Sequence, residues 1–215
     1  MTYHPIPHAL FSAPNGARPA APHVLWRQLC WVTDQMAISG DLHPSPSLGA
    51  VQLDEWVESG ITDIMDMRFE ANDAQFVAQR HPDLRYHWLG VDDEGGPREA
   101  AWFEAITGVS AEILADPRRK VLVHCHMGIN RGPSAAYTAL LAVGGDPVGT
   151  LEAIRSARPI ASAMYSLDAI QWWATRTGMS PTESAAAHSA VLAWHREHPL
   201  DVPYCISRIG NRYAA

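Results

Sequence analysis

Short apolar runs rich in β-branched residues recur along this chain, and longer stretches with helical periodicity lie between and after them. That alternation points to a layered α/β architecture, not a bundle or a sandwich. Strands are expected at residues 28–32 running on toward Met36-Ala37-Ile38, then at 61–67, 84–89 and 120–124. Helical patterns cover residues 48–58, 72–79, 98–115, 133–143, 147–157 and 166–177, the last ending at Gly178. The implied core is a central, mostly parallel sheet of about four to five strands flanked by helices.

With 215 residues, 47% of them apolar, the chain is long enough to bury a full core in one domain. Residues 1–23 are rich in Pro and Ala, lack a basic leader and a continuous apolar stretch, and are expected to form an irregular arm. Residues 24–178 carry the alternating pattern and form the expected domain. Residues 179–215 are expected to form a C-terminal helical extension. There Ser180-Pro181-Thr182-Glu183 has the pattern of a capping box with proline in the first turn, opening a helix through about His195. This piece either packs on the domain or serves as a contact in a homodimer.

No window is apolar enough to span a membrane. The net charge of −7 argues against broad affinity for nucleic acid or anionic lipid, which clustered positive charge would drive, so neither is expected as a partner. Cys30, Cys125 and Cys205 lie far apart and form no CxxC pair. Neither a disulfide framework nor a cysteine zinc site is suggested, and a reducing, cytoplasmic setting is expected.

One segment carries chemistry. Directly behind Val121-Leu122-Val123 stands HCHMGINRGPSAA, residues 124–136. Cys125 here is open to three readings: a nucleophile beside an anion pocket, a corner of a His-Cys-His metal site, or a buried inert thiol. A thiolate attacking phosphorus needs its pKa brought down from ~8.5. A loop between a strand end and a helix N-terminus is expected to do that, because its N–H groups converge on one point and the helix adds partial positive charge. The same amides, from His126, Met127, Gly128, Ile129, Asn130 and Arg131, would hold phosphate oxygens. Gly128 permits the turn, Pro133 suits the first helical turn, and the planar guanidinium of Arg131 matches two phosphoryl oxygens at once. His124 is expected to orient the loop through hydrogen bonds. The metal reading is disfavoured because adjacent residues at a strand end point in opposite directions and no second ligand cluster exists, so no metal is assigned.

Taken together, the apolar strand, His-Cys, central glycine, Arg, Pro and small-residue helix resemble the active-site loop of the dual-specificity branch of the protein tyrosine phosphatases. Residues 36–42, 60–68, 86–93 and 153–159 are similar to further segments of that family, so the resemblance spans roughly residues 24–178. It implies a protein tyrosine phosphatase-like fold and a cysteine-dependent phosphatase that forms a cysteinyl phosphate and needs no cofactor. Its substrates would be phosphotyrosine or phosphoserine/phosphothreonine proteins, or a small phosphate monoester. It also implies a general acid: Asp93, 32 positions before Cys125, matches the family spacing, with Asp92 as the neighbour that could replace it and Glu94 a third candidate. Arg158 is expected to anchor a loop behind the site and Asp66 to make structural hydrogen bonds, with Trp88 or Trp102 near the pocket.

The chain departs from the family pattern at two positions. Gly132 replaces the hydroxyl residue that usually follows the loop arginine and assists hydrolysis of the phosphoenzyme, which implies slow dephosphorylation unless Ser134 or Asn130 substitutes. Asn130 stands where serine or glycine is common. The variable positions His126, Met127 and Ile129 include no lysine, which speaks against phosphoinositide specificity. Two other functional readings remain open at this point: a phospho-ligand binding module with poor turnover, and a sulfur-transfer enzyme of the rhodanese type, in which Asp93 would have no role.

Overall fold

The computed structural model describes residues 16–211; most of the expected N-terminal arm lies outside the described residues. A five-stranded sheet runs in the order β1-β2-β5-β3-β4. The strands are β1 (Cys30–Trp31), β2 (Met36–Ser39), β3 (Asp63–Arg68), β4 (Arg85–Val91) and β5 (Val121–His124). β2, β5, β3 and β4 are mutually parallel, and β1 pairs antiparallel with β2. The expectation of a mostly parallel α/β sheet holds.

The first expected strand is in fact two. Thr33-Asp34-Gln35 reverses the chain, with the Thr33 hydroxyl accepting from the N–H of Gln35 and Met36, so residues 28–38 fold into a short hairpin. The remaining strands lie within two residues of where they were expected.

Strand periodicity sorts the core into two layers. Met36, Ile38, Met65, Met67, Val121 and Val123 point to one face and join the large core formed with α4 (Ala100–Leu114), α5 (Arg131–Ala142), α6 (Pro147–Ala157) and α7 (Ser166–Thr177). Ala37, Ile64 and Leu122 point to the other, against Leu53 and Trp56 of α2 (Pro46–Glu58) and Val77 of α3 (Ala74–Arg80). β5 sits between β2 and β3, with His124 in register with both Ser39 and Asp66. Its carboxyl end therefore opens at the middle of the sheet edge, where ligands bind in parallel α/β folds.

The C-terminal piece packs on the domain. The capping box at Ser180 and Glu183 is formed, α8 (Pro181–Glu197) follows, and its Val191 and Trp194 enter the large core. α9 (Val202–Gly210) builds a third apolar cluster with Trp26, at the end of the single-turn α1 (Pro22–Leu25), and with Ile129 of the loop behind β5.

Candidate active site

β5 ends at His124, residues 125–130 form the turn, and α5 begins at Arg131, two residues before the expected start. The loop therefore spans Cys125 to Asn130 and meets the helix at its arginine. Gly128 has φ +62, and a Cβ there would strike Arg158 and the carbonyl of Ser39, so both conformation and space demand glycine.

Arg158 fixes this shape from behind. Fully buried, it donates from Nε to Gly128 (2.7 Å), from Nη1 to Leu25 (2.9 Å) and Gln28 (3.2 Å), and from Nη2 to Trp26 (2.9 Å) and Met127 (3.0 Å). This is the anchor expected of it. On the far side, the backbone of Ser162 donates to the Ile129 carbonyl (2.6 Å) and that of Met164 to the Asn130 side chain (2.8 Å).

Cys125 is 2% exposed at the base of a cavity of about 220 Å³, whose lining includes Asp93, Glu94, His126, Met127, Ile129, Asn130 and Arg131. Burial pushes its thiol up from the ordinary value and Asp93 adds to the rise, while Arg131 and the amides of Gly132 and Gly128 draw it down. The expected net lowering is not met. The physical reason is the burial of the thiol, which outweighs the arginine and the loop amides.

Arg131 makes a bidentate pair with Glu70, Nη1 to Oε2 at 2.6 Å and Nη2 to Oε1 at 2.7 Å, and Nη1 also donates to the Val91 carbonyl at 3.0 Å. Its pKa is raised even though burial works against the charged form, because Glu70, Cys125 and Asp93 favour it. Reciprocally, the hydrogen bonds from Arg131 hold Glu70 down at about 2. Glu70 was not anticipated from the sequence. The available signal was topological: it stands two positions past the end of β3, at the carboxyl edge of the sheet. Arg131 Nε remains buried without a hydrogen-bond partner, 3.4 Å from Asp93 Oδ2.

The two candidate acids separate cleanly. Asp93 faces the cavity, its Oδ1 accepting from Asn130 Nδ2 (2.6 Å) and the Tyr165 hydroxyl (2.9 Å). Asp92 turns away and binds Arg98 at 3.1 Å, whose hydrogen bond lowers its pKa. Glu94 also lines the cavity. Tyr165, missed in the sequence, is braced edge-on by Trp102 at 6.0 Å. Trp102 thus supports the site indirectly, whereas Trp88 lies outside the cavity lining and donates to the carbonyls of Arg68 and Ala71.

The flanking histidines diverge, as strand geometry requires. His124 is buried against Trp56, with Nε2 3.7 Å from Asp66 and Nδ1 without a hydrogen-bond partner; burial lowers its pKa. Its ring makes no hydrogen bond to the loop, so its expected orienting role reduces to packing. Asp66 is held by Arg68 and the Tyr86 hydroxyl, the structural role anticipated for it. His126 turns the other way to Asp41, 2.8 Å from Nδ1. Among the described residues no group of three His, Cys, Asp or Glu side chains is arranged to hold a metal ion.

A Cβ at Gly132 would lie 3.3 Å from both the Cys125 nitrogen and the His124 carbonyl carbon. The first turn of α5 runs that close to the end of β5, so a hydroxyl residue there requires a shift of a few tenths of an ångström. Neither proposed substitute reaches the cysteine: the Ser134 hydroxyl donates to the Asn130 side chain and accepts from the Tyr165 N–H, and the Asn130 amide serves Asp93.

No protein-family model matches the sequence, and no curated protein does. Solved structures do match. Tk-PTP in its active form aligns at a TM-score of 0.57 and 17% identity, over 70% of this chain and 99% of that one. PTPMT1 in complex with PI(5)P aligns at 0.58 and 15%, over 71% and 97%. A mouse putative dual specificity phosphatase complexed with zinc tungstate aligns at 0.52 and 21%, over 81% and 97%. The chain has the protein tyrosine phosphatase-like fold of these dual-specificity and related structures.

Proposed function

We propose that the chain is a cysteine-dependent phosphatase of the dual-specificity type, hydrolysing phosphate monoesters on phosphotyrosine or phosphoserine/phosphothreonine proteins. The observation that carries this reading is the convergence of Cys125, Arg131 and Asp93 on one cavity at the carboxyl edge of the sheet. Cys125 attacks phosphorus as the thiolate, forming the S–P bond as the ester P–O bond breaks. Arg131 and the loop amides hold the equatorial oxygens. Asp93 gives its proton to the departing oxygen. Water then attacks phosphorus, Asp93 takes the proton, and the S–P bond breaks.

The fold shared with phosphatase structures supports phosphoryl chemistry in general. Three free, buried cysteines support a reducing, cytoplasmic setting for the proposed thiol, and among the described residues no helix is long and apolar enough to cross a membrane. The test is hydrolysis of an aryl phosphate: vanadate-sensitive, chelator-insensitive turnover that disappears in Cys125→Ser supports the reading. Robust turnover by that variant refutes it. A second reading, a phospho-ligand binding module with slow turnover, is favoured by Gly132; a burst of product followed by near-zero steady turnover would establish it.

A further inference from the structure

The base of the cavity is built for a phosphoryl group, but one side is not. Val202 and Ile206 of α9 line it together with Met127 and Ile129 of the loop and Met164. Spaced four apart, Val202 and Ile206 stand on one face of the helix. α9 is fixed in that position. Its Cys205 and Ile209 are buried with Trp26, Ile129 and Ile160, and Asp201 caps it by accepting from the Tyr204 N–H at 3.0 Å while pairing with Arg18 at 2.8 Å. Ile206 nevertheless remains 45% exposed at the cavity mouth.

Charge narrows what fits against this wall. Among the described lining residues Arg131 is the one guanidinium, no lysine is present, and Asp93 and Glu94 are acidic. A second anionic group on a ligand would meet carboxylates there without a permanent cation to offset them. A polyol would leave its hydroxyls facing Ile and Met side chains, an unpaired burial that costs free energy.

Resting on the phosphatase reading above, we propose that Val202 and Ile206 are specificity-determining residues. They select monophosphates whose ester oxygen is carried by an apolar group, and they disfavour sugar, polyol and multiply phosphorylated carriers. The C-terminal extension thereby becomes part of the substrate site.

The test uses equilibrium binding to the full chain carrying Cys125→Ser, so that no ligand turns over, with 2-naphthyl phosphate and inorganic phosphate as probes. Adding Val202→Ala and Ile206→Ala is expected to weaken naphthyl phosphate about tenfold, the worth of roughly two buried methylenes. Inorganic phosphate, which touches only the loop, should stay within about twofold, which also confirms that the variant is folded. Ile206→Asp should weaken naphthyl phosphate further. Naphthyl phosphate binding that is unchanged, or tighter because α9 acts as an occluding lid, overturns the proposal, as does failure of either probe to bind. Hydrolysis by the wild-type chain reports separately: an intact binding pattern without turnover removes the phosphatase reading and leaves the wall standing.

Discussion

Two buried arginines flank the loop that follows β5, Arg158 behind it and Arg131 at its end, and their surroundings differ. Arg158, behind the loop, spends its donors on five backbone carbonyls and touches no carboxylate. Burial lowers its pKa. Arg131, in front, is gripped by the carboxylate of Glu70 yet keeps its Nε–H unpartnered beside Asp93. With every N–H committed to the chain itself, an arginine defines backbone shape. One that is anchored at its far edge and keeps a donor beside the cavity is positioned to bind something else.

If that division is right, removing either arginine should damage a different property. Arg131→Met is expected to lower kcat/KM by at least about 10³-fold, the scale of losing an arginine that stabilises phosphoryl transfer, with a smaller loss of unfolding free energy than in Arg158→Met because its main partner, Glu70, is half-exposed. Arg158→Met should reverse the pattern, costing roughly 3 to 4 kcal/mol of unfolding free energy in denaturant titration because several buried carbonyls lose their donor. Full stability with no activity in Arg158→Met would break the distinction.

The acids sharpen the comparison on the front side. Asp93→Asn should reduce kcat about 10²-fold and abolish one limb of the pH–rate profile, whereas Asp92→Asn, which loses only the ion pair with Arg98 and leaves that arginine's backbone hydrogen bonds, should stay within about twofold. Equal losses in both variants would remove the assignment.

The smallest expected effect lies outside the cavity lining. His195 is buried beside the Ser166 hydroxyl at 2.7 Å, and burial, with Arg155 and His198 contributing, brings its pKa down to about 4. Between that value and the unfolded value near 6.5, the unfolded chain binds the extra proton, so stability is full above pH ~6.5 and falls as the solution is acidified. From pH 6.5 to 5 this group should account for roughly 1.5 kcal/mol. Denaturant titrations at both pH values should show that loss in the wild-type chain and a smaller one in His195→Gln.

Much of this arrangement was legible in the sequence, because it depends on local order. Apolar runs gave the strands, and His-Cys, Gly128 and Arg131 in sequence gave a strand–loop–helix with a place for an anion. The division of residues 28–38 into a hairpin was missed because Thr33-Asp34-Gln35 is short and the apolar residues on either side read as one run. Glu70, Tyr165 and the α9 side chains were invisible for a different reason. Glu70 and Tyr165 reach the site through Arg131 and Asp93, and Val202 and Ile206 line the cavity itself, all by long-range packing, and none sits in a pattern distinguishing it from a surface acid or a core aromatic. The expected lowering of the Cys125 pKa failed on the same ground. It counted the loop's positive features without the burial and the Asp93 carboxylate that oppose them.

On the proposed phosphatase reading, Cys125 carries the phosphoryl group through a covalent intermediate. Rapid acid quench of the wild-type chain during turnover of an aryl phosphate, followed by peptide mass analysis, tests it directly. The account predicts one phosphoryl group per chain on the peptide containing Cys125, accumulating because Gly132 offers no hydroxyl to assist its hydrolysis, and absent from Cys125→Ser. Steady turnover with no phosphocysteine, or a phosphoryl group on another residue, would contradict it.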